Sequence, residues 1–273
     1  MARSLYKHLA DTQILPADIF DNLKSAQIAK PITGFYVAKF PLWKLGHLLD
    51  ENWVDEDILN VAVELLYNHL ASQRKSTPTF LFLPTTFILD SCHLFQQQPR
   101  IYSPEIQAIR TRLCSTSFES LGFISWSNNH YSAYFLKKTG KLEYGNSLGL
   151  PPSETVVNAW ALSNVIDIDN PPTPIAVALQ GAGGGEGSCG IAAFNFIECQ
   201  ANLSVRQWTS DVFRDQMLWD LIVYHHIAEN TQMTSSLSHW SVRCIPELER
   251  NHLDTFCGYN DFNIFRPTVQ INY

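Results

Sequence analysis

The sequence predicts an α+β fold with a mostly antiparallel central sheet flanked by helices. Two observations lead to this prediction: short strand-like segments joined by tight turns occupy the middle of the chain, and segments with helical periodicity lie on both sides of them. The chain has 273 residues, of which 45% are hydrophobic and 16% are charged. This length and composition are sufficient for one globular domain with a sizeable core.

The N-terminal part of the chain predicts helices separated by extended segments. A short helix is expected over Ile19–Ala29, followed by an extended stretch over Pro31–Phe40. In Leu48–Gln73 the apolar residues recur at helical spacing, and Asp55 can cap the first turn. Two more elements are expected before the central strands: a strand-like run over Thr77–Leu89, broken by Pro84, and an amphipathic helix over Ser103–Cys114.

The central part predicts three strands, GFISW, YSAYFL and KLEYG, with a turn at Lys138–Lys141 between the last two. A helix capped by Ser153 and a strand over Ile175–Leu179 are expected next. Two helices then follow, one over Cys189–Gln200 and one ending near Asn230 with Thr209 or Ser210 as its cap.

Charge and cysteine usage argue against several classes of function. The formal net charge is −7 and the chain has no basic run, so no nucleic-acid binding is expected. We find no N-terminal apolar signal region and no stretch long enough to span a membrane, so no membrane association is expected. The six cysteines are scattered, without a CxxC pair or a standard zinc-ligand spacing. We therefore expect a reduced, intracellular protein of the nucleus or cytoplasm that needs no metal or cofactor.

The most informative segment is QGAGGGEGSCGIAAFNFIE, from Gln180 to Glu198. It places Cys189 between a glycine-rich loop and the first turn of an apolar helix. Unpaired backbone N–H groups and the helix dipole favour a thiolate there, so we expect a lowered thiol pKa and a nucleophilic role. Gln180, nine positions upstream, can supply a side-chain donor to an oxyanion.

A base and an orienting group precede this segment. His130 begins the run HYSAYFL, and Asn146 follows the strand KLEYG sixteen residues later. An imidazole can take the proton of a thiol, and an amide oxygen can hold that imidazole in the required tautomer. Glu143 is not expected to replace Asn146, because three residues away on a strand it should face the other side. The ordered set His130, Asn146, Gln180 and Cys189 predicts a thiol nucleophile.

Four segments together resemble the Ulp/SENP cysteine proteases, which process SUMO and related ubiquitin-like proteins, and the wider adenain-like papain-fold clan. They are NWVDEDILN (Asn52–Asn60), HYSAY (His130–Tyr134), YGNSLG (Tyr144–Gly149), and Gln180 with SCGIAAFNFIE. The resemblance implies a papain-like, Ulp-type catalytic domain over 46–228. An N-terminal extension over 1–45 would pack on this domain, and a C-terminal extension would span 229–273.

The resemblance implies a catalytic role for each matching residue. Cys189 would be the nucleophile and His130 the general base, and then the general acid. Asn146 would orient His130, and Gln180 would donate to the oxyanion together with the backbone N–H of Cys189. The implied partner is a protein substrate, a ubiquitin-like protein such as SUMO, cleaved after Gly-Gly without a cofactor.

The resemblance also implies a substrate slot. Trp53 matches a tryptophan that helps to form a narrow tunnel over the Gly-Gly end of the substrate, and Tyr131 stands where the family usually has a second tunnel tryptophan. Ser188 and Gly190, on either side of Cys189, are expected to bind substrate as well. An aromatic slot of this kind admits only residues without side chains, so it selects a di-glycine tail.

Three features depart from the family pattern. Asn146 replaces the usual aspartate, so the imidazolium receives less stabilisation from this neutral partner. The loop between Gln180 and Cys189 holds eight residues, five of them glycine, and is longer than the family norm. Tyr131 in place of tryptophan alters the tunnel.

Two alternatives follow from these departures. The first is a Ulp-like cysteine protease or acyltransferase of mobile-element, viral or effector origin, which would use the same thiol on another protein. The second is a non-catalytic module that binds a ubiquitin-like tail in the same slot, with Asn146 marking decayed chemistry.

Overall fold

The structure, a computed structural model, describes residues 1–25, 28–35, 38–49, 53–73, 80–85, 120–137, 139–154, 156–157, 173–174, 186–201 and 212–231. Several predicted features lie outside these residues: the helix over Ser103–Cys114, the strand over Ile175–Leu179, Gln180 with its glycine loop, and the cap at Thr209 or Ser210. Among the helices of the described part, none is both long enough and apolar enough to cross a membrane.

The described helices flank the strands in sequence, as predicted. The α-helices are α1 (Ala2–Thr12), α2 (Ala17–Ser25), α3 (Glu56–Gln73), α4 (Cys189–Ala201) and α5 (Val212–Asn230). Two 3₁₀ helices, η1 (Leu42–Leu48) and η2 (Glu186–Ser188), precede α3 and α4. The strands are β1 (Phe80–Leu83), β2 (Ser120–Ser127), β3 (His130–Lys137), β4 (Leu142–Gly145) and β5 (Thr173–Pro174).

The first predicted long helix begins directly after its predicted cap, and the cap is confirmed. Within Leu48–Gln73, η1 ends at Leu48 and α3 begins at Glu56, the residue after Asp55. The Asp55 Oδ1 atom accepts the backbone N–H of Asp57 at 3.0 Å, as an N-cap does. Lys44 Nζ lies 2.9 Å from Asp55 and 2.6 Å from Asp57, so an ion pair joins η1 to the start of α3.

The sheet has the order β1-β2-β3-β4-β5 and is mixed. Its two central pairs, β2 with β3 and β3 with β4, are antiparallel, as predicted. Both outer pairs are parallel, which the sequence analysis did not anticipate. A parallel pair needs a long crossover connection, and the chain provides one between β1 and β2 and another between β4 and β5.

A tight turn places His130 at the end of the sheet. Asn128 and Asn129 connect β2 to β3 and have φ values of 52° and 57°. Positive φ at both central residues is the mark of a type I′ hairpin turn, and asparagine tolerates this conformation better than most residues. Ser127 pairs with His130 across the hairpin, so His130 is the first residue of β3.

One hydrophobic core joins the helices to the sheet. Leu5 and Leu9 of α1 are buried in the same cluster as residues of η1, α3, α4 and α5. Helix α1 was not predicted from the sequence, although its two buried residues, Leu5 and Leu9, are four positions apart, as on one face of an amphipathic helix. The described part of 1–45 thus packs on the rest of the chain, and the division into an extension and a catalytic domain stays a prediction.

Candidate active site

Cys189 is the first residue of α4 and lies beside the start of β3. Its side chain is 1% exposed. The backbone N–H groups of Tyr131, Gly190 and Cys189 itself lie close enough to the sulfur to favour its thiolate form. Because Tyr131 directly follows His130 on β3, the sulfur lies beside the part of the strand that carries the predicted base.

Gly190 permits this close packing of α4 on its neighbours. A Cβ atom at this position would lie 3.2 Å from Leu59 on α3 and 3.4 Å from the ring of Tyr131 on β3. A larger residue would push the first turn of α4 away from both elements. Gly190 was predicted to bind substrate; the structure places it within the packing around Cys189, and its predicted contact with substrate stays a prediction.

Burial decides the protonation of the thiol in the resting protein. It raises the pKa of the Cys189 thiol, and the backbone N–H groups, followed by the positive charge of Arg214, offset only part of this effect. The lowered pKa expected from the helix N-terminus is therefore wrong. A helix N-terminus favours a thiolate, but a sequence does not show how completely its cysteine is removed from water.

His130 and Asn146 are brought together as predicted. His130 Nε2 lies 3.0 Å from Asn146 Oδ1, although sixteen residues separate the two in the chain. The antiparallel pairing of β3 with β4 produces this contact, because it returns the chain to the same end of the sheet. Burial lowers the pKa of His130, and the hydrogen bond to Asn146 partly opposes that effect.

The surrounding hydrogen bonds assign the tautomer of His130. Asn146 Oδ1 accepts the backbone N–H of Leu148 at 2.9 Å, and Asn146 Nδ2 donates to Ser132 Oγ at 3.0 Å. The oxygen of this amide therefore faces His130 and accepts a hydrogen bond from Nε2–H. The unprotonated nitrogen of the neutral ring is Nδ1, which is free to act as a base toward a thiol.

Glu143 takes no part in this network. Its carboxylate pairs with Lys137 at 2.8 Å and with Lys141 at 2.9 Å. These charges, together with their hydrogen bonds, outweigh burial and lower the pKa of Glu143. Asn146 is therefore the partner of His130 in the described site, in agreement with the sequence argument.

An aromatic cluster continues from the vicinity of Cys189 to the surface. The Tyr131 ring is 7% exposed, and its centroid lies 4.5 Å from that of Trp126. Trp126 in turn meets Trp53 edge to face, with 6.0 Å between centroids, and Trp53 is 46% exposed. The aromatic surface that reaches solvent therefore comes from Trp53 and the half-buried Trp126, while Tyr131 lies beneath them.

Sequence reasoning missed Trp126. It pairs with Tyr131 across the β2–β3 hairpin, so the two rings lie side by side once the strands are in register. The Asn128-Asn129 pair between two apolar runs was the available signal. Recognising that turn would have fixed the hairpin register and placed Trp126 beside Tyr131.

Sequence reasoning also missed Arg214, and it assigned Ser188 to substrate binding. The Arg214 side chain on α5 is 3% exposed, and its Nη2 donates to Ser188 Oγ at 3.3 Å. Ser188 is fully buried, so its hydroxyl is an acceptor for this guanidinium in the described structure. No sequence pattern links two residues that are 26 positions apart and on different elements.

The described residues contain no group of three or more histidine, cysteine, aspartate or glutamate side chains arranged to hold a metal ion. The site thus consists of a thiol, an imidazole, an amide and a buried guanidinium. These groups are suited to nucleophilic attack with proton transfer.

No protein-family model and no curated protein sequence matches this chain. Its structure is similar to the C-terminal Ulp1 protease domain solved in complex with Smt3, the yeast ortholog of SUMO, with 13% identity and a TM-score of 0.56. That alignment covers 78% of this chain and 96% of the Ulp1 domain.

Two further solved structures show the same likeness. The Chaetomium thermophilum Ulp1-like SUMO protease catalytic domain has 10% identity and a TM-score of 0.53, over 78% of this chain and 90% of that one. A structure described as the de-sumoylating protease has 9% identity and a TM-score of 0.54, over 76% and 96%. At these identities the likeness shows the fold. The chain has the α+β fold of Ulp1 catalytic domains, which confirms the predicted fold class.

Proposed function

We propose that the chain is a cysteine protease or isopeptidase that cleaves after the Gly-Gly end of a SUMO-like protein. One observation carries the proposal. The buried Cys189 thiol at the start of α4 lies beside the strand that begins with His130, and His130 Nε2 lies 3.0 Å from Asn146. These groups occur in a Ulp1-type fold, whose solved examples include a SUMO protease bound to Smt3.

The proposed reaction starts from a neutral thiol and a neutral imidazole, because burial raises the pKa of Cys189 and lowers that of His130. His130 Nδ1 takes the thiol proton as Sγ attacks the glycyl carbonyl carbon. The oxyanion is held by the backbone N–H of Cys189 and, as the sequence predicts, by the Gln180 side chain. His130 then gives its proton to the leaving amine, and water hydrolyses the thioester in the second half of the reaction.

Asn146 supports this cycle through orientation. Asn146 Oδ1 accepts a hydrogen bond from His130 Nε2–H, which leaves Nδ1 available as the base before attack. After proton transfer, the same hydrogen bond stabilises the imidazolium. A neutral amide stabilises the imidazolium less than a carboxylate does. This site therefore depends on general-base catalysis in the transition state, with little pre-formed thiolate.

The proposed substrate slot is formed by aromatic rings at the surface. Trp53 and Trp126 offer an edge-to-face pair of rings that a flat, unbranched Gly-Gly segment can lie against. On this hypothesis, Trp53→Ala and Trp126→Ala raise KM for a SUMO-derived substrate more than they lower kcat. Replacing the penultimate glycine of the substrate by alanine should abolish cleavage.

The test is reaction with a panel of ubiquitin-like proteins that carry C-terminal electrophiles. The wild-type protein is expected to form a covalent adduct with a SUMO probe, and Cys189→Ala should form none. Cys199→Ser is the matched control, because Cys199 lies on the same helix and is half-buried, and its adduct should equal that of the wild type. An adduct that persists in Cys189→Ala, or is lost in Cys199→Ser, contradicts the assignment.

A second candidate is a protease or acyltransferase with the same thiol and a different protein substrate. The burial of Tyr131 favours it, because the residue that was expected to line the second wall of the tunnel does not reach the surface. Selective modification of Cys189 by iodoacetamide, with no adduct from any member of the panel, would support this candidate over the first.

A further inference from the structure

A buried arginine connects the residue before Cys189 with a distant part of the chain. Arg214 Nη2 donates to Ser188 Oγ at 3.3 Å, and Arg214 Nη1 donates to the carbonyl oxygen of His47 in η1 at 3.4 Å. Both donors belong to one planar guanidinium, so the two acceptors are held in a fixed relation. The turn that enters α4 is thereby attached to both η1 and α5.

The same guanidinium places charge near the thiol. Arginine keeps its proton at every pH at which a cysteine titrates. Its positive charge favours the thiolate of Cys189 and opposes the effect of burial on the pKa of that thiol. Arg214 and Ser188 are both buried, so solvent screens this charge less than it would at the surface.

We propose that Arg214 is a positioning residue for Cys189: it anchors Ser188 at the entrance of α4 and provides a permanent positive charge for the developing thiolate. The inference rests on Cys189 being the nucleophile, as proposed above. The anchored turn carries the backbone N–H groups of Cys189 and Gly190 that face the sulfur. Arg214 thus acts through Ser188 and through its electric field.

The first test is the pH dependence of Cys189 alkylation by iodoacetamide, followed by mass spectrometry of the Cys189 peptide. Arg214→Gln removes the charge and should raise the midpoint by roughly 0.5–1 pH unit, less than a charge in direct contact would cause. Arg214→Lys keeps the charge and should keep the midpoint within error. Arg3→Gln is the matched control, because it removes one positive charge from an exposed position on α1 and should not move the midpoint. A folded Arg214→Gln protein with the wild-type midpoint overturns the proposal.

Ser188→Ala tests whether the hydrogen bond from Arg214 to Ser188 anchors the entrance of α4. It is also the deciding variant for this anchoring role if Arg214→Gln does not fold. This variant keeps the charge and removes the acceptor, so amide hydrogen exchange at Cys189 and Gly190 should become roughly tenfold faster. Ser120→Ala is the control, because that hydroxyl is buried without a hydrogen-bond partner among the described residues. Exchange in Ser188→Ala that equals the wild-type rate overturns the anchoring role.

Neither measurement requires a substrate. A failed reaction with every ubiquitin-like probe therefore leaves both tests of Arg214 intact. Equally, if the tests of Arg214 are negative, the probe experiment still decides whether Cys189 is the nucleophile.

Discussion

Asn146→Ala tests the centre of the proposed site, because three hydrogen bonds meet at this amide. Two of them, to His130 and Ser132, join side chains that are only 6% and 5% exposed, so water cannot readily replace the lost partner. The third comes from the backbone N–H of Leu148 in an exposed stretch, where water can take over. At about 1 kcal/mol for each of these two partly buried bonds, the variant should lose about 2 kcal/mol of unfolding free energy.

The effect of Asn146→Ala on catalysis should be distinct from its effect on stability. In the transition state the lost bond joins a charged imidazolium, for which about 1.5–3 kcal/mol is typical. This range corresponds to a fall of about 13- to 160-fold in kcat/KM. The assay is hydrolysis of a SUMO C-terminal fluorogenic substrate at a temperature at which the variant is fully folded, as shown by circular dichroism.

Ser132→Ala is the matched control for this experiment. It removes the acceptor of Asn146 Nδ2 and leaves the bond to His130 in place, so kcat/KM should fall by no more than about threefold. If folded Asn146→Ala retains kcat/KM within about twofold of the wild type, the orienting role is refuted. If the two variants lose equal activity, the loss reflects general packing around β3.

Three other variants test parts of the structure beyond the site. Burial raises the pKa of Glu198 to about 7, above its value in the unfolded chain. The contribution of the protonated side chain to stability is therefore fully present below the unfolded pKa and is lost as the pH rises through about 7. Glu198→Gln should therefore stabilise the protein by about 1–2 kcal/mol at pH 8 and by much less at pH 5, measured by urea unfolding at both pH values. Leu9→Ala should cost about 2–4 kcal/mol of stability, because Leu9 is buried in the common core. Lys7→Ala, at an exposed position of the same helix, should cost less than about 0.5 kcal/mol. Equal effects of the two variants in thermal unfolding would show that α1 does not belong to the fold. Asn129 has a φ of 57°, so Asn129→Val should cost about 1–2 kcal/mol of unfolding free energy, whereas Asn129→Gly should not. Similar unfolding curves for the two variants would argue against the type I′ turn.

The sequence predicted the local parts of this site better than its long-range contacts. The start of α4 at Cys189 follows from a glycine-rich loop before a continuous apolar run, and the pairing of His130 with Asn146 follows from two adjacent strands. Each of these signals lies within a few residues of the feature that it predicts. The core helices α3 and α5 were predictable for the same reason, since their apolar residues recur at helical spacing.

The missed features depend on distances that only the folded chain defines. The contact of Arg214 with Ser188 requires α5 to pack beside the entrance of α4, and the position of Trp126 requires the register of the β2–β3 hairpin. The predicted direction of the pKa shift at Cys189 was wrong for the same reason. Local sequence indicates the helix N-terminus, whereas tertiary packing sets the loss of water around the sulfur.

The burial of Cys189 also affects how the protein withstands oxidants. Peroxides and disulfides react with thiolates, and a thiol that is 1% exposed with a raised pKa provides little thiolate near neutral pH. Cys199, the other described cysteine, also has its pKa raised by burial. A resting protein of this kind should keep its sulfur reduced for longer than an enzyme with a pre-formed thiolate–imidazolium pair. In the proposed reaction, the thiol must therefore be deprotonated within each catalytic cycle.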